Sequence, residues 1–272
     1  MSVKGDNVLN NPNSKLICTL APASIISESK LHQAKLSEVA VSVNINGISQ
    51  AVMMVSPQHL KDFALGFSLS EGLLLSSSDV LDIVIYSHEF GWQVDLQVLA
   101  RAHHRLKQRR RTMAGPSGCG LCGLDSIEEA MSLTIPSNKV KNKKVELPSE
   151  ETIIQAKEAL PSLLQMAGST RGNHCAAFFD LSAKLIALRE DVGRHSALDK
   201  LLGCLSITNQ TATAGFALIT SRCSHDLIAK AARLSLTTLV TLAQPTDLAV
   251  SSARKTGLTL FCFQHGRLKR YA

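Results

Sequence analysis

Hydrophobic and polar positions follow two rhythms along this chain. Val39, Val41, Val43 and Ile45 recur at period two and run into Asn46-Gly47, which predicts a half-buried strand entering a tight hairpin turn. Ser56-Pro57 carries the signature of a helix start, with Ser as N-cap and Pro at the first position. Leu60, Phe63, Ala64 and Phe67 then supply a buried stripe at helical spacing. Trp92, Val94, Leu96 and Val98 alternate with polar residues and predict another half-exposed strand. Residues 101–123 keep neither rhythm and read as a long basic loop, a feature that is usually functional or disordered. A helix is expected over 149–166, with a kink at Pro161. Strands follow at 174–179, 184–188, 216–220, 237–242 and 258–263, with helices at 193–205, 224–234 and 245–256. That alternation predicts a mostly parallel sheet covered by helices.

The lysine-rich connection at 136–148 divides the chain. Residues 1–35, rich in Asn, Ser and Lys, read as a mobile N-terminal tail whose apolar stretch at 16–26 is a candidate extra strand. Residues 36–147 read as a smaller N-terminal α+β subdomain carrying the basic run, and residues 148–272 as an α/β domain. Composition narrows the class. An apolar content of 45% is that of a globular protein, and aromatics at 4% argue against base-stacking and a nucleic-acid partner. A net charge of +7 suits an anionic ligand. No apolar run is long enough to span a membrane, and the polar N-terminus lacks a signal-peptide core, so a cytoplasmic protein is expected. Seven cysteines, an odd number, argue against a disulfide framework there.

The chemistry concentrates in three places. Gly118-Cys119-Gly120-Leu121-Cys122-Gly123 pairs two cysteines among three glycines, which leave the sulfurs uncovered. The basic run Arg101-Ala-His-His-Arg-Leu-Lys-Gln-Arg-Arg-Arg111 just upstream favours thiolate over thiol if it is also near in space. By itself such a run is most often a solvated face. The other two places are junctions where a strand gives way to a helix: Arg189-Glu-Asp-Val-Gly-Arg-His-Ser196 and Thr220-Ser-Arg-Cys-Ser-His225. Each offers backbone N–H groups, a guanidinium and an imidazole, a combination suited to a phosphate, though capping plus a surface ion pair explains either one equally well. His174, after Arg171-Gly172-Asn173, could add an imidazole, but a His at a strand start is more often structural. A structural zinc needs four ligands, and there is no second CxxC, so no structural metal is expected. A zinc deaminase is disfavoured because Gly118 precedes Cys119 and no H-x-E is present. The residues alone leave sulfur transfer through a thiolate and disulfide redox chemistry level.

Four segments resemble the formate dehydrogenase accessory sulfurtransferase family, the FdhD-type sulfur carriers. They are Leu60-Lys-Asp-Phe-Ala-Leu-Gly-Phe-Ser-Leu-Ser-Glu-Gly72, Ser117-Gly-Cys-Gly-Leu-Cys-Gly123, Arg189-Glu-Asp-Val-Gly-Arg-His-Ser-Ala-Leu-Asp-Lys200, and the C-terminal end from Pro245 to Phe263. The chain departs from the family pattern at Ser196, where Asn is usual, at Arg171 for Gly, at Asp226 for Glu, and at Leu234-Ser-Leu-Thr237, which replaces a Gly-containing turn. The resemblance implies a three-layer α/β/α sandwich of the cytidine-deaminase-like fold, usually dimeric. It implies a protein that accepts persulfide sulfur from a cysteine desulfurase. The sulfur then passes to the molybdenum bis(molybdopterin guanine dinucleotide) cofactor before its insertion into formate dehydrogenase. GDP would be a partial mimic of that cofactor. Cys119 would carry the sulfur, with Cys122 assisting. Phe261, Cys262, Phe263, Gln264, His265 and Gly266 match the family's cofactor-binding segment, joined by Arg194, His195, Arg222 and His174 from the junctions. The competing readings are a cofactor chaperone without a covalent step and a CxxC thiol oxidoreductase.

Overall fold

The computed structural model describes residues 36–110, 146–169, 171–208 and 214–272, with the side chains of 107–110 excepted. The 1–35 tail, Cys119 and Cys122 lie outside the described residues. Two sheets organise the rest. The first is four-stranded: β1 (Val39–Ile45), β2 (Ile48–Val55), β3 (Val80–His88) and β4 (Gly91–Val98), in the order β2-β1-β4-β3. Asn46 and Gly47 both take positive φ, as a type I′ hairpin turn requires. Val41, Val43, Ile45, Val94 and Leu96 form one buried face, as period two dictates, and α1 (Leu60–Ser70) shares their core.

Two expectations in this half are corrected. Ser56 does not cap α1. Its N–H donates to Asp191 Oδ2 at 3.0 Å, its hydroxyl accepts from Val192 N–H at 3.1 Å, and the helix begins four residues later behind His59, at φ 57°. Ser56 is occupied by a long-range contact that no local pattern shows. Residues 100–110 are not loop but α2 (Ala100–Arg110). Ala102 and Leu106, one turn apart, pack into the core, while Arg101 and Arg105 both reach the buried Asp79, at 2.8 and 2.5 Å.

The second sheet has the order β10-β9-β8-β7-β5-β6, with β5 (His174–Asp180), β6 (Leu185–Asp191), β7 (Gly215–Arg222), β8 (Thr238–Ala243), β9 (Thr259–Gln264) and β10 (Arg267–Arg270). Its helices are α3 (Glu150–Met166), α4 (Arg194–Ile207), α5 (His225–Arg233) and α6 (Asp247–Thr256). Alternate strand residues fill two cores. Ala176, Phe178, Ala217, Ile219 and Leu239 meet α4, α5 and α6, whereas Ala177, Phe179, Phe216, Leu218 and Val240 meet α3. The α3 helix runs on through Pro161.

The sheet is mixed, not mostly parallel. Parallel pairing links β7, β8 and β9 alone, while β5 runs against both β6 and β7, and β10 against β9. The cause is connection length: the few residues between β5 and β6 allow a hairpin and leave no room for a crossover helix. The same pairings make β6, β7, β8 and β9 point one way, so their carboxyl ends share one edge with the start of β5.

The two sheets are joined by α1 lying on α4. A Cβ on Gly66 would sit 1.8 Å from the Asp199 carbonyl oxygen, and one on Gly203 would sit 2.0 Å from that of Asp62. Buried charges staple this crossing. Arg189 Nε donates to Asp62 at 2.7 Å. Lys200, fully buried, reaches Asp191 at 2.6 Å and the Ser56 carbonyl at 2.9 Å. Lys230 of α5 bonds Asp199, Glu71 and Ser70 within 3.0 Å. Burial alone would lower the Lys230 pKa, but the Asp199 and Glu71 carboxylates outweigh it and hold the ammonium charged.

Candidate functional site

The shared edge of the large sheet gathers the polar junctions. Open α/β sheets bind ligands there, beyond the carboxyl ends of strands. The end of β6 delivers Arg194 and His195 to the first turn of α4, and the end of β7 delivers Arg222, Ser224 and His225 to α5. His174 opens β5 opposite Asp191, and the β9–β10 turn closes the other side.

The helix starts at this edge are unequal. Thr246 caps α6 by accepting from Ala249 N–H. Gly193 and Ser224, the N-caps of α4 and α5, make no side-chain cap bond. Two helix ends therefore keep N–H donors and partial positive charge available to an anion. Buried polar atoms nearby also lack partners among the described residues: Ser224 Oγ, His195 Nε2, His225 Nε2 and Asn173 Oδ1. Buried polar groups are normally paired, so a cluster of orphans at an edge marks a place that a polar ligand would complete. Arg194 is half-buried and Arg222 exposed, and neither guanidinium is among the side chains that form ion pairs in the described residues. Both guanidiniums are left to grip a phosphate.

Burial disfavours the charged form of the His174, His195 and His225 imidazoles. Burial, then Lys230 and Arg194, lower the His195 pKa to about 4, against a weaker pull from Asp226, whose Oδ2 lies 3.8 Å from Nε2. Burial and Arg194 lower that of His174 as well. His195 can thus donate or accept a hydrogen bond without adding charge.

The predicted cofactor segment 261–266 divides into three parts. Phe261 and Cys262 are core residues of β9, and Cys262 Sγ points at the Ala243 carbonyl. Phe263 lies beneath the Lys157 ammonium on the α3 side. Gln264 accepts from the Tyr271 hydroxyl at 3.1 Å, and His265-Gly266 form a two-residue turn with both φ positive. The segment is therefore a strand and a tight hairpin rather than a loop, and Gln264, His265 and Gly266 are the part that reaches the edge. The strand β10 went unread because Arg267-Leu-Lys-Arg270 is mostly charged and lacks a clear period.

No local pattern signals Ser56 reaching Asp191, His59 standing beside Asp62, or Asp226 facing His195. Only the left-handed backbone at His59 marks that corner as unusual. The described cysteines, Cys175, Cys204, Cys223 and Cys262, are all free and buried. Burial raises the thiol pKa of Cys175 strongly and that of Cys223 to about 12, and it raises that of Cys262 as well. Such thiols are inert. No group of three or more His, Cys, Asp or Glu is placed to hold a metal among the described residues, and none of their helices is long and apolar enough to cross a membrane.

Comparison with known proteins adds three findings. The model of the FdhD/NarQ family matches residues 36–271. The chain is 41% identical over 227 residues to the sulfur carrier protein FdhD of Cupriavidus necator, covering 83% of this chain and 77% of that one. It is 35% identical over 264 residues to the protein of the same name from Xanthomonas euvesicatoria, covering 94% and 91%. A crystal structure of a candidate formate dehydrogenase accessory protein from Desulfotalea psychrophila superimposes with a TM-score of 0.62 at 20% identity, covering 86% of each chain.

Proposed function

The chain belongs to the FdhD/NarQ family, and on that premise we propose that it carries sulfur as a persulfide on Cys119. The Cys119 thiolate attacks the outer sulfur of a persulfide presented by a cysteine desulfurase, whose own thiolate departs. The outer sulfur is then handed to the molybdenum of a bis(molybdopterin guanine dinucleotide) cofactor, held as cargo for a formate dehydrogenase; the S–S bond breaks with the Cys119 thiolate as leaving group, and an external two-electron reductant brings the transferred sulfur to the sulfide level. The observation that carries this reading is the contrast among cysteines. Every described cysteine is buried and inert, whereas Cys119 and Cys122 stand in a glycine-rich pair in a chain whose relatives are named sulfur carriers.

The cargo fits the edge of the large sheet. Its phosphates would take the uncapped starts of α4 and α5 with Arg194 and Arg222, and a guanine would approach Gln264, His265 and Gly266. Neighbouring strands lie roughly 4.8 Å apart. The ends of β6 and β7, and those of β7 and β9, are each two strands apart, or about 10 Å. A nucleoside diphosphate fits one such interval, and a dinucleotide is long enough to use both. The placement of α3 on one face and three helices on the other agrees with a cytidine-deaminase-like sandwich, which we propose as the fold type. We propose that the protein works in the cytoplasm as a homodimer.

The test is mass spectrometry of the protein after incubation with a cysteine desulfurase and cysteine. Added sulfur should appear on the Cys119 peptide and vanish in Cys119→Ala, while Cys122→Ala is milder. Full loading of Cys119→Ala would move the sulfur to another cysteine, and full activation of formate dehydrogenase by an unloaded Cys119→Ala would leave the chaperone reading. A Cys119–Cys122 disulfide that cycles during turnover would favour the oxidoreductase.

A further inference from the structure

We infer that the outer face of the first sheet is a docking surface for a partner protein presenting apolar side chains rimmed by lysine or arginine. Strand register defines this face. Met54, Ala40, Gly91 and His88 form one row across the four strands, and Val52, Ser42, Gln93 and Tyr86 form the next. Both rows lie opposite Val41, Val43 and Val94, the face that packs on α1. The central strands supply a low floor of Ala40, Ser42 and Gly91, and the outer strands supply taller walls. The result is an open depression of about 270 Å³, with Phe90 and Trp92 at its end.

The solvated face of such a sheet is normally polar. Here Phe90 is 85% exposed, Val52 68%, Met54 52% and Tyr86 44%. Neither outer strand, β2 or β3, carries a lysine or arginine, the usual guard of an exposed edge. An exposed apolar patch of this kind, rimmed by polar groups, marks an interaction site.

Charge identifies the occupant. Residues 38–98 hold seven carboxylates, of which Asp62, Glu71 and Asp79 pair with Arg189, Lys230 and the arginines of α2; the other four, Glu38, Asp82, Glu89 and Asp95, stand against a single lysine, Lys61, in a chain of net charge +7. Lys61 belongs to α1, on the other side of the sheet. Glu38, two residues before Ala40, and Glu89, between His88 and Phe90, are exposed at the depression. An apolar centre with an acidic rim complements a basic rim, which would steer encounter and exclude acidic competitors.

Trp92, the only tryptophan, has the register of Val94 and so does not report directly on this face, and binding is read by calorimetry. The full chain is titrated with a synthetic amphipathic peptide whose leucine face is rimmed by lysines, and with the same peptide rimmed by glutamates. The lysine peptide should bind saturably, and the glutamate peptide should not bind. Met54→Lys and Glu89→Lys should each weaken binding about tenfold at low salt, and added salt should weaken it in the parent. Val52→Lys serves in place of Met54→Lys if that variant melts early. Equal binding of the two peptides, binding of neither, or unchanged affinity in the variants overturns the inference. It is also overturned if Met54→Lys splits a dimer of the free protein in sedimentation, since the occupant is then a second copy. The same holds if removing residues 1–35 is needed before the peptide binds, since the face is then covered by its own chain.

Discussion

His195, proposed for a ligand, also bears on the stability of the fold. Its pKa lies near 4 in the folded protein because burial, Lys230 and Arg194 disfavour the imidazolium. In the unfolded chain it titrates near the ordinary value of 6.5. Between those two values the unfolded state binds more protons, so this group's contribution to stability is full above pH 6.5 and falls as pH drops towards 4. Below about 4 both states are protonated and the loss is complete. His59 shifts in the same direction. We therefore expect the melting temperature to decline between pH 6.5 and 4, and His195→Asn to remove part of that slope. Melting curves across this range check it, and an unchanged slope in the variant would mean that His195 is protonated in the native state. The histidine was visible in the sequence as a candidate ligand. Its burial against Lys230 was not, because the two residues belong to different helices.

Among the elements, α1 and α4 make the least compromising contact. Gly66 and Gly203 are in van der Waals contact with the opposing backbone, and backbone oxygens cannot rotate away as a side chain can. Gly66→Ala should cost about 3 kcal/mol, the upper part of the overpacking range, and Gly203→Ala should cost a similar amount. Urea denaturation measures both, and a loss below about 1 kcal/mol would show that the helices separate easily. The end of α5 offers the opposite case. Ser235 N–H donates to the Ala232 carbonyl and Leu236 N–H to that of Ala231, which is the Schellman closure, and it leaves Ser235 left-handed at φ 60°. The family pattern has glycine in this turn. Ser235→Gly should gain about 0.5–1 kcal/mol, the relief of left-handed strain less the extra chain entropy of glycine. A loss of stability on denaturant melting would mean that the exposed serine hydroxyl repays its strain. That departure was legible in the sequence as an oddity, and backbone geometry supplies its meaning.

At the scale of the molecule, the strands and helices with a clear apolar period were legible, from β1 and β4 through α6 and β9. Elements whose period was masked by charge were not: α2 was hidden by its arginines and β10 by Arg267, Lys269 and Arg270. Strand direction was misread because adjacency in sequence was taken for a crossover, yet the consequence for the site survives. Four strands still end at one edge and bring together Arg194, Arg222 and the 264–266 turn, three places up to 72 residues apart in sequence. The motif Arg189–Lys200 divides into two groups. Arg189, Asp191, Asp199 and Lys200 are spent on buried pairs around the α1–α4 crossing, which leaves Arg194 and His195 as the residues we propose for a ligand. If that division is right, Arg194→Ala and Arg222→Ala should leave thermal stability near that of the parent. Each should weaken GDP binding by about 1.5–3 kcal/mol, the range for a charge-assisted hydrogen bond. Binding should also weaken as salt rises, because both guanidiniums are at least partly open to solvent. Persulfide loading on Cys119 should be unaffected, since accepting sulfur and holding a nucleotide use different groups. Calorimetry with GDP, run beside the loading assay on the same variants, separates the two. If both arginine variants bind GDP with unchanged affinity, the nucleotide lies elsewhere, and the arginines of the 101–111 run become the next to test.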